Sequence, residues 1–110
     1  MAINRASLLA QLGTHLRAIA HDRNPYLATQ NHFFVQQYLR EGLEIAGEVR
    51  DHAFEVRGRT HHNWMVKIPG REPGRSPLLI GAHYDTVPGS PGADDNATGV
   101  AVLLELACFF

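Results

Sequence analysis

The chain has 110 residues, of which 45% are apolar and 19% charged, and a formal net charge of −1. This length and composition suit one small globular unit and exclude a disordered chain. The near-neutral charge gives no electrostatic reason to expect nucleic acid or a membrane as partner. A single cysteine, Cys108, excludes an intrachain disulfide and fits a reducing compartment. It sits in an apolar run and reads as a packed core thiol. Gln11, His15 and Arg17 interrupt the N-terminal apolar residues, so no signal peptide is expected. The apolar tail 100–110 is too short to span a bilayer and contains Glu105. A soluble, cytoplasmic protein is the expectation.

From residue 4 to 20, Leu8, Leu9, Leu12, Leu16 and Ile19 fall at helical spacing, with Asn4 or Ser7 as cap. Residues 21–25 break this helix. A second covers roughly 29–41, with Phe34, Val35, Tyr38 and Leu39 inward and Gly42 placed to stop it. Residues 48–57 read as a strand with one wet face, 58–60 as a turn, and 63–68 as a strand with Trp64, Val66 and Ile68 on one face. The stretch 69–77 is a Gly/Pro/Arg loop. The apolar run 78–82 then reads as a buried strand. A helix from about Asn96 is apolar on every side, which calls for cover on all faces. It ends at Phe110 with no stop signal, so a chain cut within a larger domain is expected.

The chemistry concentrates at 83–96. The strand at 78–82 delivers His83 and Asp85 at its C-terminal end, where open α/β sheets bind ligands. A loop rich in Pro and Gly carries Asp94, Asp95 and Asn96 to the last helix. Imidazole and carboxylate are the usual non-thiol ligands of catalytic zinc, and one carboxylate can bridge two ions. Alternate residues of an extended chain point the same way, so Asp85 can accept the second ring N–H of His83 and fix its tautomer.

His83-Tyr84-Asp85-Thr86-Val87, followed by Pro91-Gly92-Ala93-Asp94-Asp95-Asn96-Ala97-Thr98-Gly99, resembles the co-catalytic zinc aminopeptidases of the bacterial leucyl aminopeptidase type. The resemblance implies His83 as a terminal zinc ligand, Asp95 as the carboxylate bridging two zincs, and Asp85 as the catalytic-site partner that orients His83. It also implies a cis peptide after Asp95 and a peptide as substrate. The fold implied is α/β, a partial three-layer zinc-exopeptidase fold. Its parts are two N-terminal helices, a β-hairpin, a buried strand, a metal loop and an apolar helix, with residues 1–110 forming the N-terminal portion of one catalytic domain. The family's Glu-Glu pair, further Asp and late His have no counterpart in this chain, so there is no general base here. The expectation is an inactive chain with weak zinc affinity, whose partner is the remaining C-terminal part of the domain.

Other readings stand beside it. Deacylases and dipeptidases related to carboxypeptidase G share the His-x-Asp-Thr-Val-Pro of residues 83–88, but their bridging Asp lies farther along the chain. Carboxypeptidases and glutaminyl cyclases share the fold. A non-catalytic calcium module built on Asp85, Asp94, Asp95 and Asn96 lacks the spacing of a calcium loop. An inert gene fragment is the remaining alternative. Tyr84, Asp94 and Asn96 are candidates to line the site, with Asn96 and Thr98 first of all helix caps. Adjacent His61 and His62 point oppositely on a strand and read as surface or hydrogen-bonded residues.

Overall fold

The computed structural model describes residues 3–110. Helix α1 spans Arg5–Ile19, and the Asn4 carbonyl oxygen of the side chain accepts the Ser7 N–H at 3.0 Å. That bond satisfies one of the donors a helix start leaves free. Ile19 is fully buried at the inner end, while Leu9 stays exposed. Helix α2 spans Thr29–Glu44 and runs straight through Gly42. A glycine stops a helix when its φ turns positive. Here it serves close approach instead, since a Cβ at Gly42 would stand 3.0 Å from Leu104 Cδ2. The inner stripe of α2 is His32, Val35, Gln36, Leu39 and Leu43, and Phe34 lies outside it, exposed.

Strands β1 (Val49–Val56) and β2 (Arg59–Val66) form an antiparallel hairpin with Val49 opposite Val66 and Val56 opposite Arg59. The turn is Arg57-Gly58, both at positive φ (53° and 75°), so it falls one residue earlier than 58–60. Two such residues give the mirror-image turn whose twist matches a hairpin. Val49, Trp64 and Val66 pack against the helical core, but most of β1 is exposed on both faces. His61 and His62 do point apart. His61 Nε2 lies 3.0 Å from the Tyr26 hydroxyl, and His62 Nδ1 lies 2.8 Å from Asp51 Oδ1.

A wide turn, Ala93–Ala97, leads into helix α3, Thr98–Phe109. Helix α3 packs on both α1 and α2, burying Val100, Ala101 and Leu104 against Ile19, Val35, Leu39 and Leu43. His15 fastens the three helices: Nδ1 meets the Tyr38 hydroxyl at 2.6 Å and Nε2 meets Glu105 Oε2 at 2.8 Å. Three expectations fail here. Residues 78–82 are neither a strand nor buried, with Leu78 86% and Leu79 90% exposed. An apolar run signals a need for cover, but a strand also needs a ladder partner, and among the described residues the ladder is β1 with β2 alone. Helix α3 is covered on one face only, leaving Val102, Phe109 and Phe110 open. Cys108 lies on that open side and is exposed. Among the described residues the architecture is three helices with a small antiparallel sheet. Among the described residues, no helix is long and apolar enough to cross a membrane.

Candidate metal centre

His83 and Asp85 meet on one side of the segment and Tyr84 turns to the other, as alternate residues of an extended chain would. His83 Nδ1 lies 3.0 Å from Asp85 Oδ1, and its Nε2 lies 3.0 Å from Asp95 Oδ1. Asp95 (φ −111°, ψ 88°) and Asn96 (φ −136°, ψ 35°) are the non-helical residues of the wide turn, and the peptide between them is cis. The Asp95 carboxylate meets His83, twelve positions earlier in the chain.

Donor geometry fits a shared cation. Two ligands bonded to one tetrahedral zinc at about 2.0–2.2 Å stand roughly 3.3–3.6 Å apart, so Nε2 and Oδ1, 3.0 Å apart, would open by a few tenths of an ångström to admit one. An imidazole flanked by two carboxylates can donate to both only with a proton on each nitrogen. A metal ion held by Nε2 would take the place of one of them, and Asp85 would then hold the Nδ1 proton. The donor set is short, however. Among the described residues, no group of three or more His, Cys, Asp or Glu side chains is arranged to hold an ion. The site is also open: the side chains of His83, Asp85 and Asp95 are 55%, 56% and 84% exposed. Two hollows lie elsewhere, one of about 400 Å³ beside Arg17, His21 and Phe34 and one of about 180 Å³ beside His32, Gln36 and His61.

The three candidate lining residues are placed as follows. Tyr84 turns inward, stacks on His32 with centroids 5.4 Å apart, and donates to the His62 carbonyl at 2.6 Å. It anchors the segment from behind and does not line the site. Asp94 is exposed, and its carbonyl accepts the Thr98 hydroxyl at 2.9 Å. Asn96 folds against Gly99, where a Cβ would come within 2.5 Å of its Oδ1. Neither Asn96 nor Thr98 caps α3 with its side chain.

Sequence reading missed the residues that hold this loop in place, in the break between α1 and α2. Arg23 is 0% exposed. Its Nε donates to Tyr84 O at 2.7 Å, Nη1 to Ile19 O at 3.0 Å, His21 O at 3.2 Å and Pro91 O at 2.7 Å, and Nη2 to Gly92 O at 3.1 Å. The Arg23 amide donates to Thr86 Oγ1 at 3.0 Å. Asp22 accepts the Gly89 N–H at 2.8 Å and the Thr86 hydroxyl at 3.1 Å, and Asn24 Nδ2 donates to Thr86 O at 3.0 Å. An Asp-Arg-Asn run before Pro25 signals a turn. Nothing local in it announces partners more than sixty residues away.

These contacts set charge states. Hydrogen bonds from the Gly89 and Asn24 amides hold the Asp22 carboxyl below the usual aspartate range. Burial lowers the basicity of His32, whose Nδ1 donates to Arg23 O at 2.8 Å while Nε2 faces the Gln36 amide nitrogen at 3.3 Å. Burial therefore favours the neutral ring in the fold, and the unfolded chain binds the extra proton more readily. Stability from this group is complete above the ordinary histidine pKa of about 6.5 and is lost as pH falls below it. A thermal melt repeated from pH 7.5 to 5 should show the Tm falling, with a smaller fall in His32→Gln.

Residues 63–110 match Peptidase family M28. Over 93% of its length the chain is 32% identical to a vacuolar membrane protease of Schizophyllum commune, of which it covers 13%. It is 42% identical over 44% of its length to a vacuolar membrane protease of Ajellomyces dermatitidis, and 48% identical over 40% to one of Lachancea thermotolerans, covering 5% of each. No solved structure matches. The chain thus spans about an eighth or less of the length of these relatives. The name these relatives carry overturns the expectation of a cytoplasmic setting, which rested on one cysteine and the polar residues that interrupt the N-terminal apolar stretch. The segment that carries His83, Asp85 and Asp95 is accordingly similar over its whole length to a family of peptidases, M28.

Proposed function

We propose that residues 83–96 are part of a two-zinc site of aminopeptidase type, in a peptidase that removes N-terminal residues from peptides. The carrying observation is the reach of His83 Nε2 to Asp95 Oδ1, 3.0 Å, with Asp85 behind the ring. Similarity to M28, a family of co-catalytic zinc peptidases, supports the same reading. In it, His83 is a terminal ligand, Asp95 the bridging carboxylate, and Asp85 the group that keeps the imidazole proton on Nδ1. Bound zinc would polarise the scissile carbonyl and acidify a bridging water. Asp95, with two oxygens on an exposed side chain, can present one to each ion.

The reading includes a domain whose three-layer sheet and remaining ligands come from segments other than residues 3–110. Such a domain would give the apolar run 78–82 ladder partners. It would also cover the open face of α3. The vacuolar membrane setting of the relatives belongs to the proposal as well. The 110 residues alone lack a carboxylate placed as general base and should not turn over aminoacyl nitroanilides, zinc present or not. In the longest natural polypeptide containing these residues, Asp95→Asn should reduce hydrolysis to background. There Asp85→Asn should cost about 10–100-fold, the usual loss for a partner of a ligating histidine. Turnover of peptides with a blocked N-terminus but a free C-terminus would instead indicate a carboxypeptidase. Full activity of Asp95→Asn would remove the bridging role.

A further inference from the structure

We propose that the Arg23 guanidinium is a positioning group, which sets the separation of His83 from Asp95. This rests on the reading of those two side chains as zinc ligands. The two arrive on separate segments, residues 83–85 and 91–95, and no ladder or helix joins these segments. Among the side chains of the 21–24 break, Arg23 alone bonds to both. Its Nε takes the carbonyl of Tyr84, the residue between His83 and Asp85, at 2.7 Å. On the other edge, Nη1 and Nη2 take the carbonyls of Pro91 and Gly92 at 2.7 and 3.1 Å. The Gly92 carbonyl also accepts the Ala97 N–H at 3.0 Å, so the turn carrying Asp95 closes on the same atom that Arg23 holds.

The side chains of Asp22 and Asn24 bond only to residues 86–89 of the loop and to their own turn. They anchor the loop without touching the segment at 91–95. The guanidinium is planar with a fixed fork of donors, so it fixes the distance between two sets of acceptors as a flexible ammonium cannot. Its acceptors are all carbonyls, which leaves the Asp85 and Asp95 carboxylates unspent for His83 and a cation.

The test uses the whole chain, isotope-labelled, without metal and then with zinc chloride alone. Magnetisation transfer between the His83 ring protons and the Asp95 β protons reads the separation, and the methyl signals of Val35, Val100 and Leu104 read the core. Wild type and Asp22→Asn should show the transfer. Arg23→Lys should keep the core signals, lose the transfer, and bind zinc at least tenfold more weakly. A merely structural arginine would lower the Tm of Arg23→Lys and leave the transfer in the folded molecules. The proposal is overturned if wild type lacks the transfer, if Arg23→Lys retains it, or if Asp22→Asn loses it with the core signals in place. Should Arg23→Lys not fold, Asp22→Asn decides by itself: transfer kept supports the proposal, and transfer lost overturns it. If the transfer behaves as expected and zinc moves no signal in any variant, the positioning role stands and the zinc reading fails.

Discussion

Arg23→Met should lower the unfolding free energy by about 3–5 kcal/mol, read as a shift in urea midpoint with the slope unchanged. Arginine is rarely fully buried without a carboxylate, and here five carbonyl oxygens take its donors. Methionine fills much of the volume but offers no donor. The carbonyls of Tyr84, His21 and Pro91 lose their partner, while Gly92 O keeps the Ala97 N–H and Ile19 O the His21 N–H. Each carbonyl left buried and unpaired costs about 1–3 kcal/mol, softened where water can enter from the open side of the loop. Burial makes the guanidinium less basic, and the nearby Asp85, Asp22 and Asp95 carboxylates act against that, so it stays charged throughout the useful pH range. A shift below about 1 kcal/mol would show that these bonds are exchanged for water at little cost.

Gly92→Ala should cost about 2–6 kcal/mol, from two causes that add. Gly92 has φ +54°, where a side chain is strained by about 1–3 kcal/mol. An added Cβ would also stand 2.5 Å from Thr86 Cγ2 and 2.6 Å from Asp95 O. Those contacts force the Thr86 and Asp95 segments apart, and overpacking of this kind costs a further 1–3 kcal/mol or so. Gly89 separates the two causes. Its φ is +81°, yet a Cβ there meets nothing within 4 Å, so Gly89→Ala carries the backbone strain alone. Equal losses in the two variants would mean that the crowding at Gly92 relaxes freely.

The parts legible in the sequence are those governed by short-range rules. The period of Leu8, Leu12, Leu16 and Ile19 gives α1, and Asn4 caps it. The pairing of two strands across Arg57-Gly58 follows from a turn residue between β-rich runs. His83 and Asp85 share a side because alternate residues of an extended chain do. Whatever depends on distant partners stayed hidden. Gly42 reads as a stop, but its purpose is set by Leu104 on another helix. The apolar run at 78–82 and the exposure of Cys108 depend on what lies against them. Arg23 is the clearest case. A lone arginine in a polar break looks solvated, and only the folded loop shows the carbonyls that surround it.

The most direct measurement of the central claim is a zinc titration of the 110-residue chain, followed at the ring nitrogens of all its histidines. Binding should be saturable, weak and one ion per chain, with the largest change at His83 Nε2 and amide changes at residues 94–96. Asp95→Asn should weaken it at least tenfold. Changes confined to the other histidines, or a His83 ring that ignores zinc at millimolar concentration, would contradict a metal shared by His83 and Asp95.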